Sequence, residues 1–251
     1  MTKPLYRALS AAAFLFLSTG AVAHELATVP RPPALQMENV PQVPRSLADS
    51  TRPYMEYRTA AFAGWNAADR SMLVRTRFGN TNQLHRVAAP GAARTQLSFE
   101  EEPVEGSWSP SGDVLMVSKD TGGSEFYQFY TLRDGRLTLI TDGKSRNQFG
   151  AWSKDGALIG YSSTRRNGTD TDLYVADPRD PATTRMVAQV KGGGWSLIDF
   201  AADKKSAIVG NFLSATKTQL FLLDLASGAL RPLGDQRRDA AWQSAKFAAD
   251  G

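Results

Sequence analysis

The sequence predicts an all-β protein, a β-propeller of four-stranded antiparallel blades, and three observations carry that prediction. A turn of the form aromatic-x-x-Asp-Gly recurs as Trp108-Ser109-Pro110-Ser111-Gly112-Asp113, Trp152-Ser153-Lys154-Asp155-Gly156, Phe200-Ala201-Ala202-Asp203-Lys204 and Phe247-Ala248-Ala249-Asp250-Gly251. A degenerate copy, Trp65-Asn66-Ala67-Ala68-Asp69, precedes them, and the aromatic residues are 43, 44, 48 and 47 positions apart. Strand-like runs fill the intervals, and periods of this length filled in this way mark propeller blades.

The elements follow in order. Residues 1–23 carry Lys3 and Arg7, an apolar run over 8–17, and the small-x-small pattern Ala21-Val22-Ala23. That is the layout of a secretory signal peptide, with an apolar run too short for a comfortable membrane span; an uncleaved anchor is the alternative. The chain is therefore expected to be exported, periplasmic or secreted, with no stable membrane span after cleavage. Residues 24–59 hold six of the thirteen prolines. Proline fixes φ and removes a donor, so this stretch reads as an extended lead in which a short helix over 47–58 can form, with a disordered tether as the alternative.

Four blades are expected over 60–103, 104–147, 148–194 and 195–240, with a fifth begun at 241–251, hence an incomplete ring. The second blade is the clearest: strands at 106–109, 114–118, 125–132 and 136–141, with Arg133-Asp134-Gly135 as a hairpin turn. Asp-Gly between strand-forming runs favours tight hairpins because glycine tolerates positive φ. The third blade repeats the plan at 157–162, 171–176 and 184–189, and the fourth at 206–211, 218–224 and 230–233. The first uses 71–75, 83–88 and 95–99.

A single four-stranded sheet cannot bury both faces, so each blade packs on the next. The recurring aromatic residues Trp65, Trp108, Trp152, Phe200 and Phe247 are read as blade-core residues, each able to bury roughly 150–250 Å². Composition removes several functions. There is no cysteine, which excludes disulfides, thiolate metal sites and a cysteine nucleophile. The net charge of +4 falls to +2 without the signal peptide, and no basic stripe points to nucleic acid.

The pattern resembles the N-terminal propeller of prolyl-oligopeptidase-family serine peptidases, particularly the acylaminoacyl-peptidase and dipeptidyl-peptidase-like branches. The resemblance is carried by Arg77-Phe78-Gly79-Asn80-Thr81-Asn82-Gln83-Leu84-His85-Arg86-Val87, by Gly122-Gly123-Ser124-Glu125-Phe126-Tyr127-Gln128-Phe129-Tyr130, and by the runs 139–147 and 161–175. It covers most of residues 40–251, although the turn motif alone is shared with TolB and other periplasmic propellers. The resemblance implies a propeller that caps an α/β-hydrolase domain and admits short peptides, with a Ser-Asp-His triad in that other domain.

The residues themselves carry no triad. A hydrolase nucleophile needs a Gly-x-Ser-x-Gly turn, which is absent, and an imidazole base. Of the two histidines, His24 lies in the lead and His85 within a predicted strand. No catalytic residue, cofactor or metal site is therefore assigned, and Asp170 with Asp172 reads as a polar loop rather than a calcium site. Weak substrate-contact candidates remain. Glu101 and Glu102, within Glu100-Glu101-Glu102, resemble the paired glutamates that grip a peptide's ammonium group in dipeptidyl peptidases, against the plainer reading of a solvated acidic loop. Arg165 and Arg166 could hold a carboxylate, against the plainer reading of basic loop residues. Two function classes stay open: the gating and docking part of an exported serine peptidase, and a TolB-like periplasmic propeller that binds protein partners.

Overall fold

The computed structural model describes residues 27–248, and the chain divides into two units at Tyr57 and Arg58. The expected signal peptide lies outside the described residues. In the first unit an isolated bridge joins Thr28 to Pro44, and α1 (Arg45–Met55) follows directly. The lead is thus part helix, beginning two residues before the short helix that the sequence allows over 47–58. Pro53 does not prevent it, because it stands in the last turn, after the helix has nucleated, and the helix stops two residues later.

The second unit is built of four separate antiparallel sheets, each a meander of four strands in sequence order. Blade 1 contains β1 (Ala61–Trp65), β2 (Met72–Thr76), β3 (Gln83–Val87) and β4 (Arg94–Gln96). Blade 2 contains β5 (Glu105–Trp108), β6 (Leu115–Lys119), β7 (Gln128–Arg133) and β8 (Arg136–Leu139). Blade 3 contains β9 (Asn147–Trp152), β10 (Ile159–Ser163), β11 (Asp172–Asp177) and β12 (Asp180–Ala188). Blade 4 contains β13 (Trp195–Phe200), β14 (Ser206–Ser214), β15 (Lys217–Asp224) and β16 (Leu230–Leu233). The fold is all-β and propeller-like. Among the described residues no helix is long and apolar enough to cross a membrane.

The repeated turn has one hydrogen-bond plan. The residue after each aromatic donates its N–H to the carbonyl five positions on: Asn66 to Ser71 (2.8 Å), Ser109 to Val114 (2.8 Å), Ser153 to Leu158 (2.8 Å) and Ala201 to Ser206 (3.0 Å). In blades 2 and 3 a serine hydroxyl braces the turn by donating to a carboxylate, Ser109 to Asp113 at 2.9 Å and Ser153 to Asp155 at 2.7 Å. Asp134 and Gly135 both have positive φ, 51° and 75°, as a two-residue hairpin of the mirror-image type requires. One strand starts later than the sequence suggested. β7 begins at Gln128 because Glu125 is left-handed at φ 59° and its N–H is captured by the Asp120 carboxylate at 2.7 Å, which takes it out of the ladder.

Three apolar clusters lie between the four blades, and alternate residues of one strand serve different clusters. Leu115 and Val117 of β6 join Leu73 and Leu84 of blade 1, while Met116 between them joins Tyr161 and Ile159 of blade 3. In β11, Tyr174 and Ala176 face blade 2, and Leu173 and Val175 face Leu197 and Val209 of blade 4. Both faces of these strands are buried, so they read as continuous apolar runs rather than as alternation.

A polar element repeats beside the apolar one. Gln83, Gln128 and Asp172 occupy the first position of β3, β7 and β11, and all three are buried. Each ties its own blade to the segment leading into the next: Gln83 Nε2 donates to the Glu100 carbonyl (2.8 Å), Gln128 Nε2 to the Ser145 carbonyl (2.7 Å), and Asp172 Oδ1 accepts from the Val190 N–H (2.9 Å). In blade 4 the bond runs the other way, with Gln236 of the outgoing segment donating to the carbonyls of Leu220 and Leu233.

Neighbouring turns are clasped together as well. Asn66 Nδ2 donates to the Gly112 carbonyl at 2.9 Å, Arg179 pairs with Asp113 at 2.7 Å, and Lys204 pairs with Asp155. The Ser111 hydroxyl and the Arg179 guanidinium hold the Asp113 carboxyl well below the usual range.

Blades 3 and 4 meet through glycine. A Cβ on Gly160 would stand 2.6 Å from Leu197 Cδ1, and one on Gly150 would run into the Leu197 carbonyl oxygen. Gly150→Ala should therefore lower the stability by roughly 1–3 kcal/mol in urea denaturation, since backbone cannot yield as a side chain does. Gly193→Ala, where the added carbon meets nothing within 4 Å, should leave the midpoint nearly unchanged.

Candidate functional site: a cleft between blades 2 and 3

The first strand of each blade begins the meander, and its outer edge has no partner within the sheet. β9 and β13 run close together, drawn in by the Gly150–Gly160 slot, whereas β5 and β9 scarcely touch. The contacts across blades 2 and 3 are aromatic instead. Phe129 lies edge-on to Phe149 and to Tyr161, with centroids 6.2 and 5.7 Å away, and within blade 3 Tyr161 stacks on Tyr174 at 5.5 Å. Burial pushes the Tyr161 phenol up to about 12. Rings of this thickness hold the sheets apart where glycine would let them close, and a cleft of about 680 Å³ opens beside them.

Its floor is Met116, Phe129 and Phe149, and its walls include Glu105, Ser107, Ser118, Asp120, Tyr127 and Asn147. Trp152 Nε1 reaches across to the Ser107 hydroxyl at 3.3 Å, a direct bond between blades. Glu105 is paired with Arg75, which also lines a smaller cleft on the blade 1 side. Asn147 is fully engaged on its Nδ2, donating to the carbonyls of Tyr127 and Ser145 at 2.9 Å each.

The structure separates the residues singled out from sequence. Phe200 is 0% exposed and central to the cluster between blades 3 and 4. Trp108 and Trp152 are half-buried against the other two clusters. Phe247 is half-buried, with its N–H donating to Asp199 at 2.8 Å. Trp65 departs from the set: it is 64% exposed, tilted against the exposed Phe62 at 5.4 Å. Among the described residues no blade covers that side of β1, so the equivalent position has no cluster to enter.

The acidic run does not converge on one point. Glu100 pairs with Lys119 at 2.7 Å, Glu101 is exposed, and Glu102 accepts the Gly122 N–H at 2.7 Å. The two arginines part company too. Arg165 is exposed, whereas Arg166 bonds the wholly buried Asp172 at 2.6 Å, Asp170 at 2.8 Å and the Val190 carbonyl. Arg166 is thus consumed in closing its own loop, and the backbone N–H of Gly192, with Asn167 and Arg166, holds Asp170 down to about 2. Among the described residues no group of acidic and histidine side chains could hold a metal ion.

Sequence reasoning passed over Asp120, Tyr127 and the Gln83–Gln128–Asp172 series. The last was discoverable: steps of 45 and 44 match the aromatic period, but a change from amide to carboxylate hid it.

His85 is 0% exposed on β3; its Nδ1–H donates to the Gln83 carbonyl at 3.1 Å, and its Nε2 is unpartnered. The Phe78 ring meets it edge-on at 5.1 Å, and the Arg94 guanidinium lies over that ring at 4.2 Å. Burial lowers its pKa from 6.5, with Arg94 adding to the effect and the Gln83 bond opposing it. The unfolded chain therefore binds this proton more readily, so stability is complete above pH 6.5 and is lost as pH falls toward the folded value. His85→Gln should flatten the slope of unfolding free energy against pH below about 6.5, measured by urea titrations. A second expectation concerns the aromatic series. Phe200→Ala should cost about 3–5 kcal/mol, and Trp65→Ala, mostly in water, should stay within about 0.5 kcal/mol.

No family model and no curated protein matches the chain. Solved structures do. A prolyl endopeptidase superposes with a TM-score of 0.54 at 12% identity, over 74% of this chain and 32% of that one. TolB from Acinetobacter baumannii aligns with a TM-score of 0.48 at 16% identity, over 77% of this chain and 45% of that one. The chain thus spans less than half the length of either protein. At 12% identity the likeness to the endopeptidase concerns the fold alone, and the fold is that of a β-propeller module.

Proposed function

We propose that this chain is the substrate-gating and docking propeller of an exported serine peptidase acting on short peptides, with the α/β-hydrolase domain supplied outside residues 1–251. The cleft between blades 2 and 3 carries the reading. Ser109 pairs with Val114, so alternation along an antiparallel ladder turns Ser107 and Glu105 toward β6. The N–H and C=O of Gly106 and Trp108 then face the free edge of β5. An extended peptide can add to such an edge through its backbone while its side chains enter the aromatic floor. A volume near 680 Å³ suits a short segment and excludes a folded domain. Export rests on the signal-like pattern of residues 1–23.

The lining of the same cleft favours a second reading, a propeller that only binds. Ser107 and Ser118 stand there without an imidazole, since His85 is sealed in blade 1 against Phe78. Under either reading these residues bind rather than cleave.

Titration with unlabelled peptides of about five to eight residues should give saturable binding. At a hundredfold excess over Kd it should stabilise the fold by about 2.7 kcal/mol. Chromogenic aminoacyl and dipeptidyl substrates should show no turnover. Absence of any peptide-induced stabilisation would leave the binding-only reading, and turnover blocked by a serine-directed phosphonate would overturn the non-catalytic assignment.

A further inference from the structure

We propose that Asp120 is a cation-recognition point within this cleft, taking the ammonium or guanidinium group of an extended ligand. Only the identity of that ligand as a peptide rests on the docking reading above.

Asp120 follows β6 at the wall of the cleft and is 9% exposed. Its Oδ2 accepts the Glu125 N–H at 2.7 Å, and its Oδ1 has no hydrogen-bond partner among the described residues. A carboxylate held by one neutral donor on Oδ2 keeps Oδ1 open as an acceptor, and a charged donor makes a stronger bond there than a neutral one. The neighbouring cations are all committed elsewhere. Lys119, the preceding residue in the chain, points to Glu100 at 2.7 Å. Arg146 lies over the Phe126 ring at 5.3 Å and 3.8 Å from Glu125, and Arg75 is taken by Glu105. The lining therefore carries a net negative charge with no cation of its own to neutralise Asp120.

The rest of the cleft suits the apolar stem and flat face of an organic cation. Tyr127 is partly exposed, Phe129 and Phe149 form the floor, and Met116 is a flexible filler beside them. Aromatic faces attract ammonium and guanidinium groups, and long basic side chains lay their methylenes along apolar surface while the head meets its counter-ion. Anions find no free positive partner here. A bare neutral group would leave the carboxylate as it is.

The loop keeps Asp120 in place. Gly122 and Gly123 are left-handed at φ 63° and 70°, and Glu102 grips the Gly122 N–H. The carboxylate is thus positioned before any ligand arrives, which reduces the ordering cost of binding.

The test begins with small probes on the whole chain: n-butylammonium and n-butylguanidinium against n-butanol, followed by calorimetry. Peptides with blocked ends carrying lysine or norleucine, and neutral peptides with a free amino end, then distinguish a basic side chain from a terminal ammonium. Cations should bind at least about tenfold more tightly than their neutral analogues. Asp120→Asn keeps an oxygen for the Glu125 N–H and should remove that preference, while Asp239→Asn, beyond β16 and outside the cleft, should keep it. The lysine-to-norleucine ratio in the unaltered chain needs no variant, so it decides the matter even should Asp120→Asn fold poorly. Equal binding of charged and neutral probes, or an Asp120→Asn chain with the preference intact, overturns the proposal. Cations bound without peptides uphold Asp120 and overturn peptide docking, and peptides bound without regard to charge do the reverse.

Discussion

Burial of the inner sheets on both faces is the constraint from which the rest of this structure follows. Leu115 and Val117 look one way from β6 and Met116 looks the other, and all three are kept from water. A sheet placed so must satisfy its polar groups internally, and buried Gln83, Gln128 and Asp172 do that at the point where each blade hands over to the next. The distance between sheets is then set by side-chain thickness alone. Glycine at positions 150 and 160 brings two blades together, and edge-on rings hold another two apart.

The blade count among the described residues and the turns were legible because their chemistry is local. A glycine with positive φ and a carboxylate braced by a serine can be read from five consecutive residues, and the equal steps between copies supply the architecture. Burial of the recurring aromatic residue was less legible. Phe200 and Trp65 hold equivalent positions, yet one is sealed and the other is in water, since burial depends on which sheets flank the strand. Local sequence carries no record of that. The start of β7 was misjudged for a similar reason, as the aromatic run 126–130 looks uniformly strand-forming and the bond from Glu125 to Asp120 is invisible to propensity.

The cleft was not legible at all. It arises from the spacing of two sheets, and its walls come from residues as distant as Glu105, Asp120 and Asn147, which no motif connects. Most of the charge runs that did attract notice are engaged within the fold: Glu100 by Lys119, Glu102 by the Gly122 N–H, and Asp170 with Asp172 by Arg166. A run of like residues advertises itself in a sequence, but a lone carboxylate acquires meaning only from what fails to surround it.

The side chains at Gln83, Gln128 and Asp172 have a mechanical consequence. Each is a latch whose two halves belong to successive modules, so a module cannot seat fully until its successor's leading segment is in place. Load applied to one sheet is passed to the adjoining one through a hydrogen bond at the seam rather than through side-chain friction alone. The assembly should therefore yield by peeling in sequence from an end, and its midpoint modules should exchange their amide hydrogens last.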